Sequence, residues 1–119
     1  MTVPKPPIEP MRWQGGRLEI LDQRKLPFQE KYLRLHDAQE VAQAISSMAI
    51  RGAPAIGVAA AFGMALAAKK YSGPPKQFLR FLKKSNDTLL KSRPTAVNLR
   101  NALGYMRKII NGATNSLAQ

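Results

Sequence analysis

Apolar and polar residues alternate along MRWQGGRLEILDQ, residues 11–23, on either side of the pair Gly15-Gly16. Alternation with period two marks a strand with one buried face, and a glycine pair supplies the positive φ angles of a tight turn. The stretch therefore predicts a hairpin with Leu18 and Ile20 on a common face. FQEKYLRL, residues 28–35, alternates through Phe28 and Tyr32 and predicts a third strand, so residues 11–35 read as a small antiparallel sheet.

At Asp37 the period changes. Asp37 and Glu40 form a D-x-x-E helix start, and Val41, Ile45 and Met48 follow at helical spacing as a buried stripe. A second helix is expected from Pro54 to Lys70. Ala55, Gly57, Ala59, Ala60, Ala61 and Gly63 make it apolar and thin on every face, so neighbours are expected to pack against it on all sides. YSGPP, residues 71–75, breaks the pattern. The third helix turns Phe78, Leu82 and Leu89 inward and leaves Lys76, Arg80, Lys83 and Lys84 in water, ending before Pro94. Leu99, Leu103, Met106 and Ile110 predict a last amphipathic helix that stops near Gly112. The fold class is α+β, a small N-terminal antiparallel sheet followed by about four packed helices. Residues 1–10 read as a Pro-rich tail, 11–111 as the domain (11–35 sheet, 37–111 helical), and 112–119 as a linker or disordered end.

Charge changes the picture more than size does. The 119 residues carry 19 basic and 7 acidic side chains, and beyond Glu40 the only acid is Asp87. A half so cationic fits a nucleic acid, an anionic membrane, a phosphorylated metabolite or an acidic protein surface. The apolar run at 53–68 is shorter than the roughly 20 residues a membrane span needs, so no membrane partner is expected. The N-terminal segment MTVPKPPIEP lacks a secretory core, and the sequon Asn86-Asp87-Thr88 reads as chance. Cysteine is absent, which excludes disulfides, thiolate metal sites and a cysteine nucleophile from this chain. His36, just ahead of a helix start, reads as a solvated connector residue. No metal site is expected.

Two corners carry candidate chemistry. Arg51-Gly52-Ala53 precedes the Pro54 helix, whose first backbone N–H groups lack intrahelical acceptors and carry partial positive charge. Such a start binds anions, Gly52 lets a ligand approach the backbone, and the Arg51 fork suits phosphate oxygens. Arg93-Pro94-Thr95 repeats the layout ahead of the last helix, with a hydroxyl placed to cap that helix or touch a ligand. The two corners are expected to converge on one anionic molecule.

DQRKLP at 22–27, MAIRGAPAIGVAAAFG at 48–63 and RPTAVNL at 93–99 resemble, in this order, the N-terminal region of the methylthioribose-1-phosphate isomerases of methionine salvage. The resemblance implies a cofactor-free conversion of an aldose 1-phosphate to a ketose 1-phosphate by a cytoplasmic homodimer; no nucleic-acid partner is expected, because the residues show no aromatic-rich binding motif or basic recognition helix. It places sugar-phosphate binding on Arg51, Gly52, Ala53 and Arg93. The family's catalytic cysteine and aspartate belong to a C-terminal Rossmann-like domain, so this chain is expected to be a fragment, with no catalytic residue of its own and inactive alone. The same superfamily includes ribose-1,5-bisphosphate isomerases and initiation factor 2B regulatory subunits, which are the alternative readings. A small basic nucleic-acid-binding domain, supported by charge alone, is the third.

Overall fold

The computed structural model describes residues 10–118; the expected tail over 1–10 lies, Pro10 apart, outside the described residues. Strand β1 (Met11–Gln14) and strand β2 (Arg17–Leu21) form the hairpin, pairing Trp13 with Leu18 and Gln14 with Arg17. Gly15 and Gly16 have φ of 59° and 77°, so both central turn residues are left-handed, as a two-residue hairpin with matching twist demands. Strand β3 (Tyr32–Leu35) pairs antiparallel with β2, giving the order β1-β2-β3. Leu18 and Ile20 are fully buried on the helix-facing side.

The third strand starts later than alternation predicts, and Phe28 is 91% exposed. Residues 23–28 form turns instead: a 3-10 turn spans Gln23–Lys25, and the Gln29 amide donates to the Lys25 carbonyl. The turn over residues 26–28 takes the chain out of extended geometry, so Phe28 lies outside β3 and stays in water.

Helix α1 (Ala38–Ser46) begins where Asp37 caps it, its Oδ1 accepting the Glu40 amide at 2.7 Å, while Glu40 Oε1 accepts the exposed His36 amide at 2.9 Å. This is a capping box with its return bond one residue further out, and such caps contribute about 1 kcal/mol. Val41 and Ile45 are buried as expected, but Met48 is not. The helix ends at Ser46, and Met48, 44% exposed, takes φ 68° to reverse the chain and send Ala49 and Ile50 into the core.

Helix α2 (Ala53–Lys70) crosses the centre of the domain. Its inner side is buried at Ile56, Ala59, Ala60, Met64 and Ala67, and Gly63 lets the Leu89 and Val41 side chains come within 3.3 Å of where a Cβ would stand. Neighbours do not enclose it on all sides, however. Pro54, Val58, Ala61, Ala65 and Ala68, spaced by three and four, form an exposed stripe. Uniform apolarity permits burial of any face; the number of neighbours decides how many faces are covered.

Helix α3 (Phe78–Leu90) and helix α4 (Val97–Ala118) complete the layer. In α3 the deepest positions are Leu89 and two polar residues, Ser85 and Asn86, with Phe78 and Leu82 only half-buried. The Asn86 side-chain amide donates to the Leu103 carbonyl at 2.9 Å, which satisfies the buried group and seals the sequon from solvent. Leu99, Leu103 and Ile110 of α4 are buried, and Met106 packs at the edge. Helix α4 continues through Gly112 to Ala118 rather than stopping there. One glycine costs a helix about 1 kcal/mol, too little to end it without a second breaker. Among the described residues no helix is long and apolar enough to cross a membrane.

Candidate functional site at the starts of α2 and α4

Gly52 is the residue before α2, with φ 97° and ψ 131° and no side-chain cap. A Cβ there would touch nothing within 4 Å, so backbone conformation and not space reserves the position for glycine. The Ile56 amide closes the first helical bond onto the Gly52 carbonyl at 3.0 Å. Pro54 has no N–H, which leaves the Ala53 and Ala55 amides as the first-turn donors without intrahelical acceptors.

The second corner is a turn rather than the helix start itself. The Ala96 amide donates to the Arg93 carbonyl at 3.0 Å, and the first bond of α4 runs from the Arg100 amide to the Ala96 carbonyl at 3.1 Å. Ala96 therefore takes the capping position that the sequence pattern assigns to Thr95. Its methyl cannot accept a hydrogen bond, so the first amides of α4 lack a side-chain cap from it.

The two corners meet. Gly52 and Ile56 from the start of α2, and Arg93, Ala96, Val97 and Asn98 from the start of α4, line one cavity of about 280 Å³. Two helix N-termini thus face a common space, and both place partial positive charge there. Arg93 is half-buried at its wall with no ion-pair partner among the described residues. The cavity's width depends on Gly57, one turn into α2: a Cβ there would stand 3.3 Å from the Asn98 carbonyl oxygen and 3.8 Å from the Ala102 Cβ.

Arg51 does not line the cavity. It is exposed, and its guanidinium donates to the Gln23 carbonyl at 3.4 Å, a long contact that costs little to break. Ala53 opens α2. Of the four residues picked from the sequence, the structure brings Gly52 and Arg93 together, with Arg51 and Ala53 adjoining Gly52 along the chain. Asn98, a further polar residue of the wall, was missed, although it lies within RPTAVNL and in the first turn of a helix.

Residues 49–118, more than half of the chain, match the model of the Initiation factor 2 subunit family. The chain belongs to this family. Methylthioribose-1-phosphate isomerase 2 of Pseudothermotoga lettingae is 50% identical over 107 residues, which are 90% of this chain and 31% of that protein. Methylthioribose-1-phosphate isomerase of Thermotoga maritima is 50% identical over 99 residues, 83% of this chain and 28% of that protein. Among solved structures, 5-methylthioribose 1-phosphate isomerase of Pyrococcus horikoshii superposes with a TM-score of 0.82 at 38% identity, covering 87% of this chain and 29% of that one. Translation initiation factor eIF-2B, subunit delta, of A. fulgidus gives 0.78 at 35% identity, covering 92% and 31%. The chain spans under a third of the length of these relatives.

In this member of the family the DQRKLP loop buttresses the site. Asp22, 1% exposed, accepts the Arg24 amide at 3.0 Å and the Arg24 guanidinium on both oxygens, each at 2.9 Å. The next residue, Gln23, donates its amide to the Ala49 carbonyl at 2.9 Å and offers its own carbonyl to Arg51, tying the loop to the approach to α2. The Arg24 hydrogen bonds hold the Asp22 carboxyl below the usual carboxylate range, against the opposing effect of burial. A folded-state value below the unfolded one means that stability is fully present above about pH 4 and is lost as pH falls through the folded value. Asp22→Asn should therefore lower stability at neutral pH and flatten the acid limb, read as urea midpoints between about pH 5 and pH 2.

A larger depression of about 440 Å³ lies at the other end of α2, lined by Asp37, Ala67, Lys70, Phe81, Lys84 and Ser85 among others. It is a poor place for a phosphate. The C-terminal end of α2 carries partial negative charge, and Asp37 is already paired with Lys70 at 3.6 Å.

Proposed function

We propose that this chain is the N-terminal, substrate-binding part of an S-methyl-5-thioribose-1-phosphate isomerase of methionine salvage. The observation that supports this reading best is the cavity shared by Gly52 and Arg93. A phosphate there receives the first amides of α2 and α4, the fork of Arg93 and, by a swing from Gln23, that of Arg51, while Gly52 and Ala53 admit it close to the backbone. The reaction opens the sugar ring and moves hydrogen between adjacent carbons, which requires positioned acid and base groups. In the family that the sequence resembles these groups are a cysteine and an aspartate of the C-terminal domain, and on this reading they come from the remainder of a longer, cytoplasmic, homodimeric enzyme; cysteine is absent here. The complete protein should convert methylthioribose 1-phosphate to its ketose isomer with no added cofactor, and the 119-residue chain alone should not. Turnover by the short chain, or none by the complete protein, overturns the assignment.

The fit to eIF-2B, subunit delta, at a TM-score of 0.78 favours a second reading, a family member that binds a phosphorylated ligand without converting it. Saturable binding of methylthioribose 1-phosphate by the complete protein, with no product formed, selects that reading.

A further inference from the structure

The phosphate cavity uses few of the cations in the second half of the chain. Arg80, Lys83, Lys84 and Lys91 fall within a sector of about 100° on α3 and its C-terminal cap, and Lys76 extends the row one turn earlier. All are exposed except half-buried Lys83. Among the described residues none of the five is in an ion pair. Asp87, the one acid on this face, is bonded to Arg107 of α4, which cancels its charge.

Folding gains nothing from such a row. Like charges four residues apart on a helix repel, as Arg80 and Lys84 do on α3. The row runs for roughly 20 Å, with a cation at each turn from Lys76 to Lys84 and a two-turn step, past the paired Asp87, to Lys91. A ligand that meets all of them carries repeated negative charges along an extended length. A ring cluster closes one end: Tyr71 packs on Phe78 and Phe81 with centroids 5.2 and 5.0 Å apart, and Phe81 remains 36% exposed where it borders the 440 Å³ depression next to Lys84.

We propose that the outer face of α3 is a binding track for single-stranded nucleic acid, with phosphates along Lys76, Arg80, Lys83, Lys84 and Lys91 and a base against Phe81. A row of cations beside an exposed ring fits a strand whose bases are free to stack, since each base offers a flat face to the ring. An acidic protein surface would use the cations but has no need of the ring. The negative end of α2 disfavours a phosphate inside the depression and leaves it for the uncharged base. This inference is independent of the phosphosugar site, which lies at the opposite end of α2.

The test is fluorescence anisotropy of the 119-residue chain with labelled oligouridylate and oligothymidylate of about 16 nucleotides, across a salt series. Both strands should bind, with log affinity falling against log salt at a slope near 3.5 for five phosphates, at about 0.7 each. Arg80→Ala, Lys84→Ala and Lys91→Ala combined should reduce that slope by about 2 and weaken binding at least about tenfold at low salt. Phe81→Ala should weaken binding and leave the slope unchanged. The charge-matched set Lys25→Ala, Lys31→Ala and Arg34→Ala should leave most of the affinity in place. Equal losses from both triple sets would reduce the effect to net charge and overturn the proposal. So would binding of poly-glutamate through α3 with none of either oligonucleotide, which would assign the face to an acidic protein.

Discussion

On the proposed function, Arg93→Ala in the complete protein should lower kcat/KM for methylthioribose 1-phosphate by about 10- to 100-fold and leave the helical circular-dichroism spectrum unchanged. A hydrogen bond to a charged group contributes about 1.5–3 kcal/mol, which converts to a factor of that size. Arg93 stands on a turn outside the packed core, at the wall of the cavity, with no acid beside it among the described residues to share its charge. Arg93→Lys keeps the charge without the fork and should fall between the two. Arg51→Ala should cost less, because its guanidinium rests on the Gln23 carbonyl and outside the cavity wall. Unchanged kinetics for Arg93→Ala would remove the phosphate from this corner.

Gly57→Leu should destabilise the domain by about 1–3 kcal/mol and weaken substrate binding at the same time. The obstacle is the Asn98 carbonyl in the first turn of α4, 3.3 Å from the new Cβ, and a backbone atom there yields only if the helix moves. Moving α4 away from α2 separates the two N-termini that face the cavity. Intrinsic propensity acts in the other direction, since leucine in place of glycine favours a helix by up to about 1 kcal/mol. Gly104→Leu isolates that term, because a Cβ at Gly104 meets nothing within 4 Å. It should be neutral or stabilising by urea denaturation. A stabilised Gly57→Leu protein with normal affinity would show that close approach of α2 and α4 does not shape the site.

Much of the domain was legible because its punctuation is local. Asp37 reaches an amide three residues away, Gly15 and Gly16 adopt the turn geometry open to them, and Pro54 stands in the first turn of a helix. Each signal operates within one turn of chain, and the hairpin and the starts of α1 and α2 stand within a residue or so of where it puts them. Misreadings came where another part of the chain had a better use for a residue. Met48 continues the spacing of Val41 and Ile45, yet it takes a left-handed conformation outside the helix so that Ala49 and Ile50 can enter the core. Phe28 continues the alternation of β3 but sits in the turn spanned by the Gln29–Lys25 bond, outside the strand.

The site divides in the same way. From its residues alone the chain declares two arginine-flanked helix starts, because first-turn amides without acceptors and a glycine beside them are properties of a few consecutive residues. Only the tertiary structure decides that Gly52 and Arg93 share a cavity, that Asn98 joins them, and that Arg51 stands aside on Gln23. Those outcomes depend on how closely α2 approaches α4, which is set by the space at Gly57 and by burial of Leu99 and Leu103, contacts between segments whose separation in sequence carries no distance information.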